Sequence, residues 1–176
     1  MIDDWILLWI QGNLRCAFLD FLMPVITALG NLGFLWILIT LTLLMIKRYR
    51  RDGVTLLTAL VLFLLIGNFA IKLLVARPRP CHTDPLFELL IPLPLDYSFP
   101  SGHTMSSFAA ATVLYRVRRS WGIGAFIIGT LIGFSRLYLY VHYPSDVLAG
   151  MVLGILVGML VLWARKNLEN RLKTVS

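Results

Sequence analysis

Long apolar stretches separated by short polar segments dominate this sequence of 176 residues. A helix that crosses a lipid bilayer needs about 20 consecutive and mostly apolar residues. Residues 54–74, 122–141 and 147–164 meet this requirement. We therefore predict that each of these three segments forms a transmembrane helix.

Three further stretches carry the same signal in a weaker form. Residues 102–117 hold one ionisable side chain, His103, before their basic end, and residues 34–46 contain no ionisable side chain before Lys47. Residues 18–29 are mostly apolar but short for a span, and residues 5–10 are typical of an interfacial helix that leads into them. With these additions we predict about six transmembrane helices.

Basic residues follow alternate spans, which fixes a predicted orientation. Three clusters of four, three and four residues hold eleven of the 16 Lys and Arg residues. The clusters are Lys47, Arg48, Arg50 and Arg51; then Arg116, Arg118 and Arg119; then Arg165, Lys166, Arg171 and Lys173. Because Lys and Arg concentrate in cytoplasmic loops, we predict that the clusters and both termini are cytoplasmic.

Composition narrows the class of protein further. Hydrophobic residues make up 59% and charged residues 14%, whereas soluble domains have about 45–50% and about 25%. This excludes a water-soluble enzyme and a disordered chain, and the net charge of +7 is explained by topology rather than by nucleic acid. Cys16 and Cys81 match no disulfide framework or metal motif. We predict an all-α polytopic membrane helix bundle that forms a single domain over residues 1–176.

A second group of basic residues lies outside the cytoplasmic clusters. It consists of Arg15, Lys72, Arg77, Arg79 and Arg136. On the predicted topology most of these cations share the outer side with His103, His142 and Asp146. Ionisable groups at the membrane edge are costly and mark functional sites, although Arg77 alone could extend to the lipid headgroups.

These residues fall into three sequence motifs. They are Lys-x6-Arg-Pro at residues 72–80, Pro-Ser-Gly-His at residues 100–103 and Ser-Arg-x5-His-x3-Asp at residues 135–146. With these motifs the chain resembles the type 2 phosphatidic acid phosphatase superfamily, which includes membrane lipid phosphatases, glucose-6-phosphatase and vanadium haloperoxidases. The resemblance covers about residues 54–164 and implies a core like that of the acid phosphatases and vanadium haloperoxidases.

Phosphate chemistry agrees with the residue types in these motifs. Lys72, Arg79 and Arg136 supply positive charge for phosphate oxygens. Ser101 and Gly102 precede a predicted helix, so their backbone N–H groups could also face an anion. We therefore expect phosphate to bind among these five residues.

The resemblance assigns the catalytic roles. It implies that His142 is the nucleophile and forms a phosphohistidine, and that His103 is the general acid. Asp146 would hold His142 in the required tautomer, which suits the spacing if Pro144 opens the last helix. His82 belongs to no motif. The resemblance implies catalysis without a metal, and we expect no metal ligand and no cofactor.

Residues 86–95 are too apolar for a loop in water and too rich in proline for a span. They are expected at the membrane interface, either beside the active site, where a lipid tail could pass, or only as an anchor.

The function that we expect is a lipid phosphatase of the cytoplasmic membrane, with its site on the extracytoplasmic side. Undecaprenyl pyrophosphate is the expected substrate, while phosphatidylglycerophosphate, phosphatidic acid and lipid A stay open. From another class, a transporter that only binds lipid phosphate also remains. The expected partners are the bilayer and the lipid, with no nucleic acid and no obligate protein partner.

Overall fold

The structure, a computed structural model, describes residues 2–84 and 86–175, and these residues form helices and connecting segments without a strand. The helices are α1 (Ile2–Asn13), α2 (Ala17–Leu29), α3 (Phe34–Met45), α4 (Arg50–Phe63), α5 (Lys72–Val75), α6 (Pro80–Thr83), α7 (Gly102–Val117), α8 (Arg119–Tyr138) and α9 (Pro144–Val175). A π-helical segment, Leu64–Ile71, joins α4 to α5. The all-helical architecture predicted from the sequence is confirmed.

Helix α7 is the centre of the bundle and packs against both α8 and α9. Its close approach to α9 depends on glycine, because a Cβ added at Gly154 would lie 2.4 Å from the carbonyl oxygen of Met105. A Cβ at Gly158 would similarly lie 2.6 Å from Cβ of Thr112. Small residues allow this kind of contact between membrane helices, so Gly154 and Gly158 let α7 and α9 pack closely.

Fewer helices than six are long and apolar enough to cross a membrane. Among the described residues, three continuous segments qualify, namely Lys47–Thr83, Arg119–Tyr138 and Pro144–Thr174. Helices α2 and α3 together make a fourth candidate that is bent by 43°. Helix α7 has 16 residues, about 24 Å at 1.5 Å per residue, and most of its side chains are buried.

The break between α2 and α3 explains much of this difference. Leu32 and Gly33 have φ values of 51° and 71°, a left-handed conformation that ends one helix before the next begins. The segments predicted as two separate spans, residues 18–29 and 34–46, are therefore the two halves of one bent element. Gly30, at the break, lies against the imidazole of His103.

Helix α1 lies at the end of the bundle that carries residues 139–146, which we call the His142 end. The Gln11 amide donates to the carbonyl of Tyr138 at 3.0 Å, and the Ser145 backbone N–H donates to Asp3 at 3.0 Å. Arg165, about 30 Å further along α9, pairs with Asp52 at 2.6 Å. Asp3 of α1 and Arg165 of α9 thus lie near opposite ends of the bundle, whereas the prediction that both termini are cytoplasmic stays a prediction.

Two apolar clusters stabilise this arrangement. The larger one is built around α7, where the indole N–H of Trp36 donates to the Ser107 hydroxyl at 3.0 Å. The smaller one joins α1 and α2 to residues 138–143. This second cluster fixes the short segment that carries His142.

Candidate active site

The three sequence motifs meet in one cavity of about 700 Å³ at the His142 end of the bundle. The charged or titratable side chains that line it are Lys72, Arg79, Asp96, His103, Arg136 and His142. Five of these come from the motifs, so the structure brings together residues that are far apart in the sequence.

His142 is almost completely buried, with 1% of its surface exposed. Its Nδ1 lies 3.4 Å from a carboxylate oxygen of Asp146, and its Nε2 lies 3.0 Å from Nη1 of Arg79. Because a guanidinium only donates hydrogen bonds, Nε2 carries a lone pair and the ring proton lies on Nδ1, facing Asp146. Burial and the neighbouring Arg79 hold the pKa of His142 well below its usual value.

Asp146 is fully buried in a network of donors. The Ser98 hydroxyl donates to it, as do the Tyr143 backbone N–H at 2.8 Å and Nη1 of Arg77 at 2.7 Å. Pro144 opens α9, as expected, which sets Asp146 in the first turn. These donors fix the orientation of the carboxylate towards His142.

Arg77 does not extend to the lipid headgroups, which was the alternative left open for it. Its guanidinium bridges Asp146 to Asp3 of α1, with the Asp3 bond at 2.8 Å, and it lies over the ring of Tyr143 at 3.9 Å. Burial alone would raise the pKa of Asp3, but hydrogen bonds from Arg77 and Ser145 lower it. Sequence reasoning missed Asp3 because no motif includes it.

Asp96 is a further acidic residue that the sequence did not indicate. Its carboxylate pairs with Nζ of Lys72 and with Arg79, the latter at 2.6 Å. Burial alone would raise the pKa of Asp96, but these two cations hold it far below its usual value. In this state a carboxylate occupies the groups predicted to bind phosphate.

Arg136 is buried at 4% exposure and lines the cavity. Its Nη1 donates to the hydroxyl of Thr27 on α2 at 2.6 Å. Its buried Nε has no hydrogen-bond partner among the described residues. A buried donor without a partner is costly, so this group is suited to an oxygen atom of a ligand.

Ser101 and Gly102 differ from each other in position. Gly102 lines the cavity, and a Cβ there would lie 3.1 Å from the Asn68 side-chain oxygen. Ser101 is fully buried behind the cavity wall, where its N–H donates to the Asp146 carbonyl at 3.1 Å and its hydroxyl accepts from Thr104 at 3.0 Å. Ser101 is not among the residues that line the cavity, and its role in phosphate binding stays a prediction.

His103 contacts the break between α2 and α3 across the cavity. Its Nε2 lies 2.9 Å from the side-chain oxygen of Asn31. Asn31 was not predicted as a site residue, since nothing in the sequence relates it to the Pro-Ser-Gly-His motif. His82, by contrast, hydrogen-bonds to the carbonyl of Pro94 at 2.8 Å and does not line this cavity.

An apolar extension continues the cavity away from the charged side chains. It lies between α3 and α4, where Ile37, Leu57, Leu60 and Leu64 line it. Ile91 and Pro92 of the apolar loop lie at its border. The cavity therefore has a cationic end, which carries His103 and His142, and an apolar end. This arrangement suits an amphiphile with an anionic head.

Several known proteins with related sequences are named as phosphatases. An undecaprenyl-diphosphatase of Sulfolobus acidocaldarius is 37% identical over 80% of this chain and 68% of its own length. Undecaprenyl-diphosphatase BcrC of Bacillus subtilis is 34% identical over 81% of this chain and 72% of its own length.

Known structures lead to the same group of proteins. The transmembrane PAP2-type phosphatidylglycerolphosphate phosphatase of Bacillus subtilis is 28% identical, with a TM-score of 0.78 over 94% of this chain and 85% of its own. LpxE of Aquifex aeolicus is 29% identical, with a TM-score of 0.78 over 92% of this chain and 95% of its own. The profile of the PAP2 superfamily matches residues 52–169, which contain all three motifs, and the chain therefore belongs to the PAP2 superfamily.

Proposed function

We propose that this protein is a membrane lipid phosphatase that removes the terminal phosphate of undecaprenyl diphosphate through a phosphohistidine. The observation that carries the proposal is the geometry of His142. Its Nε2 faces a cationic cavity at 3.0 Å from Arg79, while Asp146 lies behind its other ring nitrogen. A site that only bound lipid phosphate would need the cations but not this nucleophile and its carboxylate.

The first chemical step transfers the phosphoryl group to the protein. The lone pair on Nε2 of His142 attacks the terminal phosphorus, and an N–P bond forms as the bond from phosphorus to the bridging oxygen breaks. His103 donates a proton to the departing lipid monophosphate. Asp146 stabilises the positive charge that develops on His142.

The second step regenerates the protein. Water attacks the phosphohistidine while His103 takes one of its protons, so that an O–P bond forms and the N–P bond breaks. Inorganic phosphate leaves and His142 recovers its neutral form. Each proton given by His103 in the first step is thereby regained in the second.

Charge stabilisation comes from Lys72, Arg79 and Arg136, with Gly102 allowing the backbone to approach the phosphate. These groups surround the oxygens that gain negative charge as phosphorus is transferred. Since they supply the positive charge, the proposed reaction needs no metal ion. We expect EDTA to leave phosphate release unchanged and vanadate, a phosphate-like oxyanion, to inhibit it.

The choice of lipid follows from the relatives and from the cavity. Two of the related proteins are named undecaprenyl-diphosphatases, and several cations suit a head group with more charge than a monoester. Phosphatidylglycerophosphate is the second candidate, because a relative with this specificity in its name is 31% identical over 91% of this chain.

The proposed topology has five crossings of the cytoplasmic membrane rather than six. They are the bent pair α2–α3, the segment α4–α5, and α7, α8 and α9. This arrangement keeps the three basic clusters in the cytoplasm and places the cavity and α1 on the outer side. A carrier lipid diphosphate exposed on that side would reach the site directly from the outer leaflet.

Phosphate release by the purified protein in detergent tests the proposal. We expect turnover of undecaprenyl diphosphate to be at least as fast as that of phosphatidic acid or phosphatidylglycerophosphate. His142→Ala should lower it by about 10³-fold or more, as loss of a covalent nucleophile does. Substantial turnover by this variant would exclude the phosphohistidine, and loss of activity in EDTA that magnesium restores would exclude the metal-free mechanism.

A further inference from the structure

The general acid His103 is contacted by a segment that lies outside the family match. The PAP2 profile begins at residue 52, yet Asn31, at the break between α2 and α3, lies 2.9 Å from Nε2 of His103. Asn31 is polar and faces the cavity that also contains His142. The break therefore brings a hydrogen-bonding group to a catalytic side chain.

The backbone of the same break also lies close to a carbon atom of the imidazole ring. A Cβ added at Gly30 would lie 2.7 Å from Cδ2 of His103 and 3.0 Å from a methyl group of Ile132. Glycine is thus required for the backbone to come this close. Asn31 at Nε2 and Gly30 beside Cδ2 together restrict the rotation of the ring.

Positively charged side chains approach His103 from the other sides of the cavity. Positive groups reach it from α5, from the segment before α6 and from α8, and a second imidazole comes from the segment before α9. These groups are Lys72, Arg79, Arg136 and His142. The α2–α3 break adds no charged group on its side, since the residues that it contributes to the cavity lining, Gly30, Asn31, Leu32 and Gly33, are all uncharged.

The acceptor at Nε2 offsets part of the repulsion between these cations and a protonated His103. The Asn31 oxygen binds an N–H at that nitrogen, and a hydrogen bond to the protonated form of a group favours that form. A general acid must carry its proton when the leaving oxygen departs. At Nε2 the ring therefore contacts a neutral acceptor, the Asn31 oxygen, and not a further cation.

We propose that Asn31 is a positioning residue that orients His103 and favours its protonated form, so that the ring can donate a proton to the leaving oxygen. The inference rests on the acid role of His103 given under the proposed function. The inference gives the break in the bent pair α2–α3 a role in the site. Both residues that contact the ring, Gly30 and Asn31, lie at this break.

Two substrates that differ in their leaving group provide the test. Phosphatidic acid releases an alkoxide and needs a proton, whereas p-nitrophenyl phosphate releases a stable phenolate and needs little help. General acid catalysis contributes about 10²–10⁴-fold, so we expect Asn31→Ala to lower kcat for phosphatidic acid by about tenfold or more. For p-nitrophenyl phosphate the loss should be severalfold smaller, as it should for His103→Ala.

The pH–rate profile gives a second readout that a purely structural role would not move. Asn31→Asp keeps an acceptor and adds a negative charge beside His103, so the protonated ring persists and the alkaline limb should move to higher pH. Asn31→Ala removes the acceptor and should move the same limb to lower pH. Leu29→Ala, at the exposed last residue of α2 and outside the cavity lining, controls for disturbance of the helices.

Each outcome separates the inference from the proposed function. An equal loss on both substrates with an unmoved alkaline limb would make Asn31 structural only, and activity like that of the unmodified protein would remove it from the site. If His103→Ala itself showed no dependence on the leaving group, the acid role would fail and the inference with it. If Asn31→Ala does not fold, the direction of the shift in Asn31→Asp decides alone.

Discussion

Asp96 occupies the two cations that a phosphate group would use. Its carboxylate pairs with Lys72 and with Arg79, although 55% of its side chain is exposed. A phosphate oxygen entering the cavity must therefore displace it or share the cations with it. We expect Asp96→Asn to strengthen inhibition by vanadate by about threefold, because partly exposed ion pairs such as these two each contribute less than about 1 kcal/mol.

The inhibition constant for vanadate, measured with and without the substitution, checks this prediction. Glu88→Gln, which removes an exposed carboxylate from the same apolar loop, is the matched control and should leave the constant unchanged. Weaker inhibition in Asp96→Asn would mean that the carboxylate holds Lys72 and Arg79 in place for phosphate instead of competing with it.

At this scale the sequence predicted the residues inside the motifs and missed their partners. Lys72, Arg79, His103, Arg136 and His142 were found because each belongs to a fixed spacing that carries chemistry. Their partners, among them Asp96, Ser98 and Asn31, have no such spacing. The chain brings them to the motifs only by folding, as with Asn31 and His103, which are 72 residues apart.

Helix α1 is connected to Asp146, the proposed partner of His142, through Asp3 and Arg77. Asp3 accepts hydrogen bonds from Arg77 and Ser145, and Arg77 in turn donates to Asp146. We expect Asp3→Asn to destabilise the protein by about 1–3 kcal/mol, as loss of a partly buried charged acceptor does. It should also lower kcat, because Arg77 would no longer be held from both sides.

Thermal unfolding in detergent together with kcat measures both effects. Asp3→Glu keeps the charge and should recover much of each, while Glu88→Gln removes a carboxylate at the same end of the molecule without touching Arg77. If Asp3→Asn lowered the melting temperature but left kcat intact, α1 would stabilise the fold without influencing Asp146.

The helices themselves were predicted well where they are long, and less well near the amino terminus. Hydropathy alone indicated α8 and α9, since each contains enough apolar residues to cross a bilayer. It assigned residues 18–29 and 34–46 to separate spans because the bend at Leu32 and Gly33 depends on tertiary contacts. Gly30 and Asn31 pack against His103, and no local pattern records that contact.

In the proposed topology, the bent pair α2–α3 counts as one crossing of the membrane. The three basic clusters still lie at one end of the bundle, as the Arg165–Asp52 pair indicates for two of the segments involved. The cavity and α1 lie at the other end. In the proposed topology, which has one crossing fewer than predicted, the amino-terminal helix lies on the side of the cavity and the placement of the basic clusters is unchanged.

Labelling of single cysteines in intact cells tests this arrangement. In a variant with Cys16 and Cys81 replaced by serine, His82→Cys and Ile2→Cys should react with a membrane-impermeant thiol reagent, because both positions are exposed at the His142 end. Ser120→Cys, exposed in the first turn of α8, should react only after the cells are broken. Labelling at position 82 but not at position 2 would restore six crossings, whereas labelling at position 82 only in broken cells would place the active site in the cytoplasm. That last result would exclude a phosphatase acting on carrier lipid in the outer leaflet, even if the purified protein released phosphate from it.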